Sequence, residues 1–371
     1  MNDISILLPK TGLHRSLEIV EKALPKDAAV QSLENILLES DSRQLVLSST
    51  NLELSIKVSL PFEGDEPGSV LLPPKLTDIV RLMPEQEVQL DLNQDNLHLS
   101  LSSGQSRYNL FGSDPADFPR VEELLPGSDS TITIDAPVLR DLLKMVVFAA
   151  STEETRPAFN GILFEFDGSR WNLISSDTYR LVFKSLLDGN WHFEPLRCLV
   201  PARALRELLR ILDLEQEEVV VYPGKDHLVF RLPTVYFAAR LLNEKYPDIS
   251  SVIPEHYSSR IFVSRHELTD AVSRAALLAE GINSAIQLSL SESALFVRVS
   301  SQIGRMEESL AVKKEGEEVE LYINSRFVMD ILKATATEEI IIDFHGKSGP
   351  VVFRLPGDEN YLYLVLPIKM N

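Results

Sequence analysis

The strongest limit on what this chain can fold into is an echo. Ser175-Ser176-Asp177-Thr178-Tyr179-Arg180-Leu181-Val182-Phe183 reads as a polar turn entering a strand, with Tyr179, Leu181 and Phe183 on one side and Arg180, Val182 and Lys184 on the other. Ser48-Ser49-Thr50-Asn51-Leu52-Glu53 stands 127 positions upstream, and Ser300-Ser301-Gln302-Ile303-Gly304-Arg305 stands 125 downstream. Each follows an apolar strand: Leu45-Val46-Leu47, Asn172-Leu173-Ile174 or Phe296-Val297-Arg298-Val299. Such a period in 371 residues implies three copies of one unit, each of ordinary domain size.

The rest of the chain keeps that period. Each third opens on a strand, runs through a helix at 13–24, 139–150 or 265–280, crosses three strands, and enters a second helix at 75–82, 202–212 or 325–334. Hairpin strands then close it. Proline opens two of the second helices, and Asn324-Ser325 caps the third. The second helices align acid with acid (Asp78, Glu207, Asp330) and base with base (Arg81, Arg210, Lys333), both at spacings of 129 and 123. Pro119 and Pro247 lie 128 apart. The expected class is α+β, with domains over 1–121, 129–249 and 259–371. The linkers fall at Glu122–Ser130 and Asp248–Ser259.

Charge is unevenly spread. The chain carries 36 Lys and Arg against 55 Asp and Glu, a net of −19, which taken alone argues against nucleic acid. The six helical segments hold 13 basic and 9 acidic residues, leaving 23 and 46 elsewhere. Positive helices on an acidic body suit a salt-sensitive, sequence-blind contact with phosphate. They equally suit the solvated faces of amphipathic helices, and the count does not decide between them. One cysteine, Cys198, excludes an internal disulfide and reads as a buried strand residue in a reducing compartment. Met1-Asn2-Asp3-Ile4-Ser5 begins a strand, not a signal peptide, and no apolar run is long enough to span a membrane. A cytoplasmic protein with no membrane contact is expected.

Three chemical motifs fail on inspection. Gly346-Lys347-Ser348 lacks the earlier glycine of a phosphate loop, where Ile341 stands. Asp91-Leu92-Asn93-Gln94-Asp95 lacks the glycine and glutamate of a calcium loop, at Asn96 and Ser102. The seven histidines show no ligand spacing, so neither metal nor cofactor is expected. Asp177 beside a serine pair leaves one rival reading, a metal-dependent nucleic-acid enzyme on the repeated scaffold. An acidic scaffold protein with no DNA role is a third.

Several segments, in their order and spacing, resemble one family. They are Glu34-Asn35-Ile36-Leu37-Leu38, Thr50-Asn51-Leu52-Glu53-Leu54, Asp117-Phe118-Pro119, Arg156-Pro157-Ala158-Phe159-Asn160-Gly161-Ile162-Leu163-Phe164-Glu165, Ser176-Asp177-Thr178-Tyr179-Arg180-Leu181, Tyr246-Pro247-Asp248, Val252-Ile253-Pro254 and Leu364-Val365-Leu366-Pro367-Ile368-Lys369. The chain resembles, over nearly its whole length, the bacterial sliding clamps, the beta subunit of DNA polymerase III. The resemblance implies three like domains per chain and two chains joined head to tail into a ring. Helices would line the hole and sheets the outside, and duplex DNA would pass through without sequence readout. It implies a processivity factor and no catalysis. The implied partners are the polymerase III alpha subunit, the clamp loader and other proteins bearing a clamp-binding motif.

Carried over by position, the resemblance implies a partner-peptide pocket walled by Phe159, Ser176, Thr178, Tyr179, Arg180, Leu181, Pro247, Val252, Leu364, Leu366, Pro367 and Ile368, with Asn324 and Phe327 nearby. Thr178-Tyr179 stands where the family usually has Gly-His, Leu366 and Ile368 where methionines are common, and Ser251 replaces a usual basic residue. Lys75, Arg107, Tyr108 and Leu110 would meet Leu277 and Leu278 of a second copy. DNA would be met by Arg156, Arg203, Arg210 and Lys333, with Lys22 and Arg81.

Overall fold

The computed structural model describes every residue except 1, 2, 26, 28, 29, 42, 63–66, 121, 122, 124–130, 154, 188–194, 214–216, 280, 282, 283, 370 and 371. The expected linker Glu122–Ser130 therefore lies outside the described residues apart from Glu123. The chain divides into two compact units, Met1–Leu139 with Arg206–Leu241, and Arg140–Leu205 with Leu242–Asn371.

Both units use the same plan. The first holds an eight-stranded antiparallel sheet, in the order Gly68–Leu72, Ile36–Ser40, Gln44–Thr50, Leu54–Pro61, Val235–Arg240, His227–Arg231, Glu218–Pro223 and Ile132–Asp135. Four of its strands come from the first third and four from the middle third. The seam is the pairing of Leu54–Pro61 with Val235–Arg240, where Phe237 stands opposite Ile56. A four-stranded sheet, Asp3–Pro9, Glu87–Asn93, His98–Ser103 and Ser106–Phe111, completes the unit.

The second unit has a nine-stranded sheet running Leu196–Pro201, Gly161–Phe166, Arg170–Ser176, Arg180–Leu187, Asp358–Val365, Val351–Leu355, Glu339–Phe344, Ser259–Ser264 and Lys313–Gly316. Its smaller sheet runs Arg305–Ala311, Ala294–Ser300, Ala285–Leu290 and Val319–Asn324. Strands bury alternate residues wherever one face meets solvent: Leu99 and Leu101 point inward, His98 and Ser100 outward.

Two helices belong to each third: α1 (Lys10–Val20) and α2 (Lys75–Leu82), α3 (Ala136–Val147) and α4 (Ala202–Leu212), α5 (Arg265–Ala276) and α6 (Ser325–Ala334). In α4, Leu205, Leu208 and Leu212 are fully buried. Arg203 and Arg210, two turns apart, share the exposed face. Each such leucine contributes roughly 1.5–3 kcal/mol on burial. The sequence reading missed Gly68–Leu72, Leu196–Pro201 and Val319–Asn324, the strand that leads into the second helix of each repeat.

The repeated turn is the same object in detail, and it shifts the alignment by one residue. Ser49 Oγ donates to Val20 O, and Ser175 Oγ to Val146 O at 2.5 Å, each satisfying a carbonyl at a helix end. Thr50 Oγ1 donates to Leu54 O and Ser176 Oγ to Arg180 O. Asn51 Oδ1 accepts from Glu53 N and Leu54 N, as Asp177 Oδ1 does from Tyr179 N and Arg180 N. Leu52 and Thr178 both adopt positive φ, 72° and 80°. The equivalences therefore run at 126, not 127. In the third copy, Ser301 N donates to Gly304 O as Asp177 N does to Arg180 O, a spacing of 124.

Two further expectations are corrected. Tyr179 belongs to the turn and not to the strand, which begins at Arg180, so it does not share the buried side of Leu181. Lys22 lies beyond α1, in a short 3-10 turn, Glu21–Ala23. Cys198 is buried, which pushes its thiol up to about 12 and leaves almost no thiolate at neutral pH.

Candidate functional site

The described pocket residues all fall in the second unit. Arg180–Leu187 pairs with Asp358–Val365, so Leu181 faces Leu364 across the ladder. Leu181, Leu364, Leu362 and Val352 form one buried cluster, and Leu163, Ile174, Leu199 and Tyr246 another. Phe183 and Ile249 pack against both, fusing them into one apolar floor. Phe159 and Leu242 cover one end and Ile253 the other. Phe183, Leu242, Ile249 and Ile253 were not among the expected pocket residues. Ile249 and Ile253 flank Val252 in a segment read as linker, and their apolar spacing of four was the available signal.

Above this floor stand exposed side chains. Tyr179 is 65% exposed and Val252 48%, and Pro247 and Leu366 are also exposed. Leu366 N donates to Tyr179 O at 2.9 Å and Ile368 N to Tyr322 O at 2.7 Å, so the C-terminal segment, with half-buried Pro367, runs along the groove. Phe159 meets Tyr246 edge-on at 5.7 Å. Burial, with a smaller contribution from the charge of Asp177, pushes the Tyr246 phenol above its ordinary range, so it stays neutral.

The charged residues of this region are committed to each other. Arg180, only 10% exposed, donates to Asp177 Oδ2 at 2.8 Å, to Asp330 Oδ2 at 2.5 Å and to Phe148 O at 2.7 Å. Its guanidinium lies 4.3 Å from the Phe327 ring centre, a favourable cation–π stack. Ser176 is buried, with its hydroxyl held by Arg180 O and Thr178 N. Asn324 caps α6, accepting from Arg326 N at 2.9 Å. Ser176 and Arg180 are thus supports behind the groove, and not surface walls. Asp177 is spent on the turn and on Arg180, which removes the acid that a metal-dependent enzyme would need. Among the described residues, no group of three or more His, Cys, Asp and Glu could hold a metal.

What remains is a rigid apolar slot with a few backbone groups at its rim, the form of a site that takes an extended peptide. Thr178 sits on that rim in a left-handed conformation that a β-branched residue strains to adopt, and its hydrogen-bonded turn prevents relaxation. Thr178→Gly is therefore expected to stabilise the fold by up to about 1 kcal/mol, strain relief being partly offset by glycine's chain entropy. Urea unfolding checks this, and a loss of stability on substitution would show that the turn is unstrained.

The expected DNA residues are placed as follows. Arg81, Arg156, Arg203, Arg210 and Lys333 are exposed, and Lys22 is partly so. Arg81 pairs with Asp78 at 3.1 Å and Arg210 with Glu207 at 2.7 Å, one turn earlier on the same helix.

Of the residues expected at a contact between copies, Arg107, Tyr108 and Leu110 lie on an open sheet edge, Lys75 begins α2, and Leu277 and Leu278 follow α5. In the first unit Ser106–Phe111 is an edge strand carrying exposed Arg107 and Tyr108, half-buried Leu110, and Phe111, which the sequence reading missed. Lys75 is exposed but bound to Asp78 at 2.6 Å. In the second unit Arg305–Ala311 is an edge strand beside the end of α5, where Leu277 is 80% exposed. Leu278 and Met306 line a cleft of about 820 Å³ there. The acids of that edge are already engaged within the chain, Glu308 with Arg274 and Glu307 with Arg298.

Comparison with known proteins gives a consistent result. Three family models match end to end: DNA polymerase III beta subunit, N-terminal domain, over residues 4–122; central domain, over 133–248; and C-terminal domain, over 250–369. The beta sliding clamp of Staphylococcus epidermidis is 30% identical over 360 residues, covering 94% of each chain. The crystal structure of the DNA polymerase sliding clamp from Bacillus subtilis superposes with a TM-score of 0.93 at 27% identity, over 100% of both chains. A sliding clamp from Pseudomonas aeruginosa bound to griselimycin superposes with a TM-score of 0.92 at 25% identity, again over 100% of both.

Proposed function

The chain belongs to the DNA polymerase III beta subunit family, the sliding clamps, and from that premise we propose how it works. It is a DNA polymerase processivity factor and not an enzyme. Its domains span 1–121, 129–249 and 259–371. Two copies close head to tail, the Ser106–Phe111 edge of one meeting the Arg305–Ala311 edge of the other, because an open sheet edge is a ready template for pairing.

The six helices face the duplex; Arg156, Arg203 and Lys333 meet phosphates, and Arg210, Arg81 and Lys22 lend support, Arg210 and Arg81 being held by Glu207 and Asp78. Contacts of this kind are salt-sensitive and carry no sequence information. The acidic body, at net −19, repels DNA everywhere else. The ring thus holds DNA by enclosure, which lets it slide. The protein works in the cytoplasm, without membrane contact; no helix among the described residues is long and apolar enough to cross a bilayer.

The apolar groove at Leu181 and Leu364 takes the extended clamp-binding peptide of the polymerase III alpha subunit, the clamp loader and other partners. Tethering turns each rebinding of the polymerase into an effectively intramolecular event. The observation that carries this reading is the fused apolar floor whose charged neighbours, Arg180, Asp177 and Asp330, are already paired with one another, since such a slot is useful to a docked peptide and not to a reaction. The test loads the protein on nicked circular DNA. Retention there, and rapid loss after the circle is linearised, are expected; equal loss from both forms would sink it. Removing 364–371 should abolish capture of the polymerase subunit.

A further inference from the structure

The three repeats treat one charge pair differently. In α2 Asp78 pairs with Arg81 at 3.1 Å while also holding Lys75 at 2.6 Å, and in α4 Glu207 holds Arg210 with both carboxylate oxygens, at 2.7 and 2.8 Å. The equivalent pair in α6 is Asp330 and Lys333, three residues apart as in the other two. They do not pair. Asp330 is taken instead by Arg180, a residue 150 positions earlier in sequence, at 2.5 Å. Arg180 itself is largely covered, and its donors are taken up by Asp330, Asp177 and the Phe148 carbonyl. Lys333 is left exposed with no ion pair among the described residues.

We propose that Arg180 is a positioning residue for the DNA contact: by holding Asp330 it leaves Lys333 unneutralised, unlike Arg81 and Arg210, to meet phosphate. This rests on the reading that the helices face the duplex. The same arginine also supports the partner groove from behind, through Phe327 and the turn that carries Tyr179. One side chain thereby links the partner site to the charge of a DNA-facing helix. A cation with an acid one turn before it gives up that pairing when it meets phosphate; Lys333 has none to give up.

The salt dependence of binding to a short duplex tests this, because its slope counts phosphate contacts. Glu207→Gln should release Arg210 and steepen the slope of log affinity against log salt by about 0.9 per chain, and Lys333→Ala should flatten it by about 0.9. Asp330→Asn, which can still accept from Arg180, should leave the slope unchanged. Arg180→Met frees Asp330 to pair with Lys333 and should flatten the slope; adding Asp330→Asn should restore it, which a purely structural role for Arg180 would not produce. If Arg180→Met does not fold, the contrast between Glu207→Gln and Asp330→Asn decides. Asp330→Asn steepening the slope as much as Glu207→Gln, with Lys333→Ala still flattening it, would overturn the proposal alone. An unchanged slope for Lys333→Ala would overturn it together with the placement of α6 against the duplex.

Discussion

Arg180→Met should lower the unfolding free energy by about 3 kcal/mol and weaken partner-peptide binding at least tenfold. The substitution keeps most of the packing volume and an apolar contact with Phe327, and removes the charge, its directed donors and the cation–π stack. Two carboxylates, Asp177 and Asp330, would lose their shared cation, and the Phe148 carbonyl at the end of α3 would lose its donor. Breaking a buried pair by removing one partner costs about 3–5 kcal/mol, most of it the desolvated charge left behind. The low end applies here because Asp330 is 36% exposed and water can reach it. Arg180→Lys keeps one charge but cannot supply three directed donors, and should lose about 1.5 kcal/mol. Urea unfolding with an unchanged m-value measures the stability, and anisotropy of a labelled clamp-binding peptide measures the affinity. An Arg180→Met protein with wild-type midpoint and wild-type peptide binding would show that the network is ornamental.

The reach of the sequence is clearest at this same turn. Its existence was legible three times over, because strand, polar turn and strand recur with their chemistry intact. Its register was not. Matching Ser48 to Ser175 aligned letters, whereas the fold aligns roles: a hydroxyl at Thr50 and Ser176, a side-chain oxygen at Asn51 and Asp177, a left-handed residue at Leu52 and Thr178. The helices were legible from their spacing of three and four. The strand before each second helix was not: Gly68–Leu72 and Leu196–Pro201 end in unbroken apolar runs, and Val319–Asn324, which does alternate, is only six residues long. The groove was legible only through resemblance. Even then, Ser176 and Arg180 were placed on its surface, when their polar groups are turned away and consumed. Burial and hydrogen-bond partnership depend on residues far along the chain, such as Asp330 for Arg180, and no local pattern encodes them.

Leu277→Arg should weaken self-association by at least about 100-fold, or roughly 3 kcal/mol, while leaving the single chain as stable as before. Leu277 is 80% exposed, so replacing it removes no internal packing. It follows the last turn of α5, where a cation suits the helix dipole, so arginine is the substitution least harmful to the monomer. At the proposed contact the facing edge strand carries Arg107 and Tyr108, and Lys75 begins α2 of the same copy, so the new charge is set against like charge and is desolvated as well. The acids of the neighbouring edge strand, Glu307 and Glu308, are already held by Arg298 and Arg274. Arg107→Glu on the facing edge should recover part of the loss, and the recovery measures the pair directly. Sedimentation velocity over a range of concentrations reads the equilibrium, and retention on circular DNA should fall in parallel, because an open ring holds nothing by enclosure. A Leu277→Arg protein that stays dimeric at nanomolar concentration would place the contact on another face. If it became monomeric yet remained on circular DNA, retention would have to come from grip and not from closure, and the acidic body of this chain offers little to grip with.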